Sequence, residues 1–240
     1  MNNYFILLAA GEGNRYRGRI PKQFTQYKQK MMIEHSIDKA LKSKLFKKIL
    51  LVVKKKHKKY LKNLNNKNIL IVVGGPDRFK SSLNALKYLK KFKPKNVFIH
   101  DAARPDFKIS LIKKLYSNLK VYKNVVPFIM PVNSLKFKKN NKFVNINRDQ
   151  FIETQTPQCF DYKLIYNLSI KNSKNITDEC ALLLNNNCKL KFVKGDETNH
   201  KITYPVLNEK LNYGIGFDIH RLVEGKKLYL GGIKIKSNLG

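Results

Sequence analysis

Cations crowd a glycine-rich turn near the start of the chain. The stretch LLAAGEGNRYRGRIPKQF, residues 7–24, follows a short apolar run and contains three glycines and four cations. Backbone amides of a glycine turn that leads into a helix can hold anionic oxygens, and small residues let a nucleotide approach the chain closely. Arg15 and Lys22 could bring two positive charges to one phosphorus, as nucleotidyl transfer requires. The stretch therefore predicts a phosphate-binding site.

Two commoner phosphate loops fit this turn poorly. The dinucleotide fingerprint needs a third glycine after Gly11 and Gly13, and an acid at the end of the second strand, where the sequence has KKK. The Walker loop ends in Lys-Ser or Lys-Thr, and Arg-Ile stands in that place. An ordinary strand-to-helix turn would explain the glycines, but it leaves the cations around them without a reason.

The elements that would position this turn follow from apolar runs of strand length. These runs cover residues 4–10, 49–53, 69–73, 97–100, 125–130 and 190–193. Segments predicted to be helical cover residues 33–45, 81–92, 161–170 and 177–186. Near-continuous apolar strands such as ILLVV and ILIVV are typical of a sheet buried on both faces. We predict an α/β fold with a mostly parallel sheet, helices on both faces, and a protruding β-hairpin arm at about residues 131–150.

The chain is strongly basic, yet its cations are dispersed. The formal net charge of +33 and the pI of about 10.1 favour nucleic-acid binding as a class. Runs such as KSKLFKK and KKKHKKY occur along the whole chain, which is typical of solvated faces. Arginine is rare, and it indicates places that need a planar, bidentate donor. The seven arginines are residues 15, 17, 19, 78, 104, 148 and 221. We expect no nucleic-acid partner, and a basic nucleic-acid-binding protein is the weaker alternative.

Cysteine usage and hydropathy indicate the compartment. The three cysteines, Cys159, Cys180 and Cys188, are odd in number and lack CxxC spacing, so neither a disulfide nor a cysteine zinc site is expected. This usage fits a reducing cytoplasm. No apolar run approaches the roughly 20 residues of a membrane span. The apolar N-terminal stretch lacks a preceding basic segment and runs into the glycine turn, so it predicts a first strand and not a signal peptide.

Several motifs occur in a specific order along the chain. They are LLAAGEGNRYRGRIPKQF, GGPDRFKSSLNAL, HDAARP, NRDQFIETQTPQCF, ITDE and NHKIT. Over about residues 3–210 they resemble the 2-C-methyl-D-erythritol 4-phosphate cytidylyltransferase family. The resemblance implies a Rossmann-like nucleotide-diphospho-sugar transferase fold. It also implies transfer of CMP from CTP to methylerythritol phosphate, with release of pyrophosphate, in the non-mevalonate isoprenoid pathway.

The resemblance also assigns nucleotide-binding and catalytic residues. In the family, the AAG backbone and a paired-glycine loop bind CTP, three cations stabilise the phosphorus under attack, and magnesium accompanies CTP. A hydroxyl at a helix start faces cytosine, and an acid at a strand end lies near the ribose and the magnesium–triphosphate. The matching CTP-binding residues are Ala9, Ala10, Gly11, Gly74, Gly75, Ser82 and Asp101. The matching catalytic cations are Arg15, Lys22 and Lys201.

The acceptor site and the oligomer are implied in the same way. Residues that match the methylerythritol phosphate site are Arg104, Ser134, Arg148 and Thr156. Ser134 stands where the family commonly has threonine, and the hydroxyl is kept. Arg148 lies on the predicted arm, which in the family crosses to a second subunit, so a homodimer is implied. Arg17 and Arg19 are expected at the surface, and Arg78 is matched by an arginine in the family without an assigned chemistry.

The last segment of the chain resembles a different family. GIGFDIHRL and LYLGGIKI are similar to the opening of 2-C-methyl-D-erythritol 2,4-cyclodiphosphate synthases, which occur fused to the first family in a bifunctional type. We expect a cytidylyltransferase domain at residues 1–210 and a truncated start of the second domain at 211–240. Asp218 and His220 match two ligands of a divalent metal such as zinc in that second family. Two ligands leave the site incomplete, so no synthase activity is expected from this chain.

A related alditol-phosphate cytidylyltransferase is the main alternative. It would share the glycine turn and use a different acceptor. Arg104, Arg148 and Thr156 argue against it, because they match the acceptor residues of the methylerythritol phosphate enzymes.

Overall fold

The computed structural model describes residues 2–13, 16, 18, 20–172, 176–204, 217, 219 and 221–240 of the 240-residue chain. The chain forms two compact units, Met1–Val206 and Leu207–Gly240. The boundary predicted between residues 210 and 211 lies close to this division. Within the described ranges, every helix is too short or too polar to cross a membrane.

The first unit alternates strands and helices along most of its length. Its strands are β1 (Asn3–Leu8), β2 (Gln26–Tyr27), β3 (Lys30–Met31), β4 (Lys48–Val53), β5 (Ile69–Val73), β6 (Asn96–Asp101), β7 (Asn124–Ile129), β8 (Lys136–Lys139), β9 (Lys142–Asn145), β10 (Glu153–Thr154), β11 (Gln158–Asp161) and β12 (Lys191–Lys194). Its α-helices are α1 (Met32–Ser43), α2 (Arg78–Leu89), α3 (Ile109–Leu119), α4 (Tyr162–Lys171) and α5 (Glu179–Leu184). Short 3₁₀ turns occur at Lys22–Phe24, Lys55–Leu61, Lys90–Phe92 and Arg148–Gln150.

One eight-stranded sheet forms the framework of this unit. Its strand order is β10-β7-β11-β6-β1-β4-β5, and β12 pairs with β7. The pairs of β1 with β4, β1 with β6, β4 with β5 and β7 with β12 are parallel. Strand β11 runs antiparallel between β6 and β7, and β10 is also antiparallel to β7. The sheet is thus mostly parallel, as predicted.

Helices cover both faces of the sheet, and the side chains of β1 explain why both faces are apolar. Tyr4 and Ile6 pack on the face that α2, α4 and α5 cover, and Phe5 and Leu7 pack on the face of α1 and α3. All four of these side chains are fully buried. A strand buried on both sides needs a continuous apolar run and not an alternating one. This two-sided packing confirms the predicted α/β class.

Sequence reasoning missed helix α3 and strands β10 and β11 of the sheet region. Helix α3 has no side-chain N-cap, since Lys108 stands at that position, and therefore lacks a sequence signal for its start. Strand β11 has only the four residues QCFD, which is too short for a periodic pattern. The predicted strand at residues 4–10 ends earlier, at Leu8, and the next residues form the turn at the site.

The predicted arm is present as a two-stranded hairpin. Strands β8 and β9 pair antiparallel, and all eight of their residues are exposed. Asn140 and Asn141, at the turn, have φ values of 44° and 61°, a left-handed conformation that asparagine tolerates and hairpin turns favour.

The described part of the second unit contains another small hairpin. Strand β13 (Leu228–Leu230) pairs antiparallel with β14 (Ile233–Ile235). Gly231 and Gly232 join them with φ values of 58° and 81°, which suits the two-residue turn of a hairpin.

Candidate active site

A cavity of about 380 Å³ lies at the carboxyl ends of β1 and β6. The turn after β1, the start of α2, the turn after β6 and the segment around Lys201 form its walls. The chain connections change direction here. Strands β4 and β5 extend the sheet on one side of β1, whereas β6 lies on the other side of β1. Ligands of α/β sheets bind at such switch points, outside the carboxyl ends of the strands.

Small residues directly after β1 form one wall. Ala9, Ala10 and Gly11 line the cavity. Gly74 permits close packing beside them, because a Cβ at Gly74 would lie 2.5 Å from the Ala10 Cβ. The side-chain amide of Gln23 donates hydrogen bonds of 2.8 Å to the carbonyl oxygens of Ala9 and Gly11. Sequence reasoning missed Gln23, whose signal is the PKQ triplet directly after the turn.

The hydroxyl at the start of α2 that lines the cavity belongs to Ser81, and not to the predicted Ser82. Ser81 Oγ accepts a hydrogen bond from the Gly75 amide at 3.0 Å and donates one to the Asp77 carbonyl at 2.7 Å. Ser82 is 1% exposed and packs inward. Successive residues of an α-helix point about 100° apart, so an assignment shifted by one position moves the side chain from the cavity to the core. Gly75 supports the same turn, because a Cβ there would lie 2.5 Å from the Lys80 Cβ.

A network of charges surrounds Asp101 at the end of β6. Lys201 Nζ lies 2.7 Å from Asp101 Oδ2, and Arg78 Nε lies 3.0 Å from Asp101 Oδ1. Arg78 also reaches Glu179 Oε2 through Nη1 at 2.9 Å. Asp101, Arg78 and Lys201 line the cavity, whereas the Glu179 side chain is 1% exposed behind them. Both oxygens of the Asp101 carboxylate are therefore held by cations.

The electrostatic balance keeps Asp101 ionised. Burial by itself would raise the pKa of Asp101, but the charges of Arg78 and Lys201 outweigh burial and hold the pKa well below its usual range. For Arg78, burial disfavours the charge, whereas Glu179 and Asp101 outweigh burial and raise the pKa above its usual value. Asp101 and Arg78 therefore both stay charged at every physiological pH.

Lys22 brings a further cation to the same cavity. Its Nζ donates a hydrogen bond to the Ile202 carbonyl at 2.7 Å, so the turn after β1 is joined to the segment that carries Lys201. The structure thus places Lys22, Lys201 and Asp101 at one cavity, and their roles stay predictions. The third predicted cation, Arg15, lies outside the described residues, as do Arg17 and Arg19.

Glu12 carries a negative charge on the glycine turn, and this charge is neutralised locally. Its carboxylate lies 2.9 Å from Lys54 Nζ and 3.1 Å from Lys56 Nζ. These hydrogen-bonded cations, Lys54 first, lower the pKa of Glu12. Lys54 and Glu12 both line the cavity, so the pair links the turn to the end of β4.

The predicted acceptor residues are not gathered around this cavity within one chain. Arg104 Nη1 donates to the Asn199 carbonyl at 2.8 Å, and Thr156 is buried at 4% exposure. On the arm, Ser134 Oγ accepts from Lys136 Nζ at 2.7 Å. Arg148 Nη1 donates to the Val132 carbonyl at 2.6 Å and its side chain is 53% exposed. None of the four predicted residues is among the described residues that line the cavity. The predicted metal ligands Asp218 and His220 lie outside the described residues.

The sheet and the strand-end cavity define an α/β domain with a candidate ligand site at the carboxyl ends of its strands. A sequence model of the 2-C-methyl-D-erythritol 4-phosphate cytidylyltransferase family, IspD, matches residues 4–208. The chain belongs to this family. This confirms the family that the motifs predicted.

Individual relatives agree with the family. A bifunctional enzyme IspD/IspF of Pelagibacter ubique is 46% identical over 243 residues, covering 100% of this chain and 66% of the relative. The chain thus spans slightly less than two thirds of that bifunctional relative. A 2-C-methyl-D-erythritol 4-phosphate cytidylyltransferase of Thermosipho melanesiensis is 34% identical, covering 84% of this chain and 92% of the relative. The solved 4-diphosphocytidyl-2C-methyl-D-erythritol synthase of Anaerococcus prevotii has a TM-score of 0.74 at 27% identity, covering 84% of this chain and 92% of that one.

Proposed function

We propose that the strand-end cavity binds CTP and transfers its CMP group to 2-C-methyl-D-erythritol 4-phosphate. The products are 4-diphosphocytidyl-2-C-methyl-D-erythritol and pyrophosphate. The observation that carries the proposal is the convergence of Lys22, Lys201 and Asp101 on one cavity beside the small residues after β1. A nucleotide can approach the backbone at Ala9 and Ala10, and the lysines lie where a triphosphate would extend.

The reaction depends on the positioning of the two substrates and on the stabilisation of negative charge more than on proton transfer. The acceptor phosphate is already an anion at neutral pH, so it can attack the α-phosphorus without a general base. One P–O bond forms to the acceptor oxygen, the bond to the β-phosphate breaks, and pyrophosphate leaves with the electron pair. Negative charge shifts toward the oxygens around the α-phosphorus and the leaving group, where fixed cations such as Lys22 and Lys201 stabilise it most.

The donor set at the cavity fits a magnesium ion that arrives with CTP. Magnesium prefers oxygen ligands and commonly takes one or two carboxylates together with substrate phosphates. Asp101 offers an ionised carboxylate at the cavity, and Arg78 and Lys201 each hold one of its oxygens in place. Asp101 would hold the ion from the protein side, and the bound ion would neutralise charge on the phosphates. Zinc at Asp218 and His220 would belong to a complete second domain.

We further propose that the acceptor site is completed by a second copy of the chain. Ser134 and Arg148 lie on or beside the exposed arm, and apolar side chains of the same region are exposed, with Phe137 at 56% and Phe143 at 70%. A homodimer that covers this region would bury apolar surface and could bring the arm to the cavity of the other subunit.

The free cysteine thiols support the proposal of a cytoplasmic location. Cys159 and Cys180 are free and buried, and burial raises the pKa of both thiols. Unpaired thiols are typical of reducing compartments.

Turnover with a panel of acceptors tests the function. Pyrophosphate release is measured with CTP, magnesium and either 2-C-methyl-D-erythritol 4-phosphate or other polyol phosphates, and ATP, GTP and UTP replace CTP in parallel. We expect release with CTP and methylerythritol phosphate only. A preference for another alditol phosphate would support the alternative acceptor class. No release with any acceptor would contradict nucleotidyl transfer altogether.

A further inference from the structure

A hydrogen-bonded chain runs through His100 behind the cavity. The Asp101 amide lies 3.1 Å from Thr156 Oγ1, which lies 2.9 Å from His100 Nδ1, and His100 Nε2 lies 3.0 Å from the Arg104 carbonyl oxygen. His100 is fully buried and Thr156 nearly so, at 0% and 4% exposure. These three hydrogen bonds therefore close a ring around the turn between Asp101 and Arg104.

The two ends of this chain fix the direction of every hydrogen bond in it. A carbonyl oxygen can only accept, so His100 Nε2 carries a proton and donates to Arg104. In a neutral imidazole the other nitrogen, Nδ1, is then an acceptor, and it takes the hydroxyl proton of Thr156. At the other end the Asp101 amide can only donate, so it donates to Thr156 Oγ1.

The surroundings keep the imidazole neutral. The His100 ring packs against Phe107 at 4.5 Å and Phe5 at 5.7 Å between ring centroids. The charged groups that act on it are Asp101, Arg104 and Lys39. Burial dominates these charges and lowers the pKa of His100 to about 3. The tautomer with the proton on Nε2 is therefore present throughout the physiological range.

The consequence concerns Thr156, which sequence reasoning assigned to the acceptor substrate. Its single hydroxyl proton is committed to His100, and one of its lone pairs already accepts from the Asp101 amide. A phosphate dianion offers only acceptor oxygens, so it needs donors from the protein. In this arrangement the Thr156 hydroxyl has no proton left to donate to such a phosphate.

The turn enclosed by these hydrogen bonds contacts the segment that carries Lys201. The Ala103 carbonyl accepts from the Ile202 amide at 2.8 Å, next to Lys201. Asn199 is tied to the same region, since its side-chain amide donates to the Thr156 carbonyl at 2.8 Å and its own carbonyl accepts from Arg104. A shift of the turn would therefore move Asp101 and Lys201 together.

We propose that His100 and Thr156 are positioning residues, which set the Asp101–Arg104 turn and the Lys201 segment, and that the Thr156 hydroxyl does not bind the acceptor phosphate. This positioning role rests on the proposed function, because Asp101 and Lys201, which His100 and Thr156 hold in place, take part in catalysis only under that proposal. The hydrogen-bond polarity itself does not depend on any substrate.

Kinetics of Thr156→Val and Thr156→Ser separate positioning from phosphate binding. Valine keeps the shape and loses the hydroxyl, whereas serine keeps the hydroxyl. We expect Thr156→Val to lower kcat by about tenfold or more while KM for methylerythritol phosphate changes less than about threefold, and Thr156→Ser to recover most of kcat. Thr198→Val, which changes an exposed threonine outside the site, is the matched control. A rise of about tenfold in that KM with kcat unchanged would overturn the proposal.

Nitrogen NMR of the histidines tests the polarity without any turnover. The chain has five histidines, and His100→Gln identifies the signals of His100 by their loss. We expect long-range ¹H–¹⁵N spectra to show the Nε2–H tautomer, without titration between about pH 5.5 and 8. Thr156→Val should shift the Nδ1 signal, because its hydrogen bond is lost. A proton on Nδ1, or titration within that range, would contradict the proposal. If the wild-type chain failed to turn over methylerythritol phosphate, the proposed function would fail while these spectra still decided the polarity.

Discussion

The strand-end cavity and the hairpin arm both carry predicted site residues, but in opposite environments. At the cavity, Asp101 is clamped by Arg78 and Lys201, and its side chain is 13% exposed. On the arm, Arg148 is 53% exposed and donates a hydrogen bond to the Val132 carbonyl. The charged groups of the cavity are thus fixed before any substrate binds, whereas the groups of the arm lack comparable support within one chain. The difference shows which charged groups one chain fixes by itself, and under our proposal a second subunit would support the groups of the arm.

The largest expected effect concerns the buried side of the cavity. Arg78→Met removes the cation that Asp101 and Glu179 share, and leaves the buried Glu179 carboxylate without its partner. Breaking a buried pair from one side typically costs about 3–5 kcal/mol in the free energy of unfolding. Urea unfolding followed by circular dichroism measures this loss. Lys136→Ala on the arm is the control, and we expect a change within about 0.5 kcal/mol. Equal losses for both variants would contradict the contrast between the two regions.

The next effect concerns catalysis at the cavity. Lys22→Ala removes a cation from the cavity where we propose that the phosphorus is attacked. Losses of about 10²–10³-fold in kcat are typical for one preorganised electrostatic group. Steady-state pyrophosphate release gives kcat, and a melting curve shows whether the fold is kept. Lys58→Ala, an exposed lysine of the 3₁₀ turn Lys55–Leu61, is the matched control and should retain full activity. Normal turnover by Lys22→Ala would remove Lys22 from the catalytic set.

A mixing experiment tests whether the arm serves the cavity of a partner. Lys22→Ala damages the cavity and Arg148→Ala damages the arm, so each homodimer should be nearly inactive. After equal mixing and subunit exchange, half of the dimers are mixed and one of their two sites is intact, which restores about a quarter of wild-type activity. If the arm served the cavity of its own chain, mixing would restore nothing.

The smallest effect is the acid sensitivity of the cavity. Because the folded pKa of Asp101 is depressed, the unfolded chain binds more protons at low pH, and the stability from this group is fully present above its unfolded pKa of about 4. That stability is lost as the pH falls below about 4 toward the folded pKa. The free energy of unfolding, measured between about pH 6 and about pH 3, should therefore decline as the pH falls. Asp101→Asn should show a shallower decline, and an identical slope would show that Asp101 does not contribute.

Sequence reasoning located the glycine turn that lines the cavity because its signal is local. Ala9, Ala10 and Gly11 follow an apolar strand directly, and Lys22 comes eleven residues after Gly11. Local signals failed where one residue changes the face of an element, as with Ser81 and Ser82 on α2. They also failed for α3 and β11, which lack a cap or sufficient length.

The sequence by itself determined the α/β class, the two-sided sheet and the residue types at the strand ends, because apolar runs and glycine turns depend on neighbours along the chain. Only the tertiary structure decided which charges meet. Arg78 and Glu179 are 101 residues apart, and Asp101 and Lys201 are 100 apart, yet they form one network. It also decided that Thr156 points its hydroxyl toward His100, since hydrogen-bond partners across 56 residues follow from the packing of β6 and the segment before β11. Such contacts depend on distances through space, which no spacing along the chain encodes.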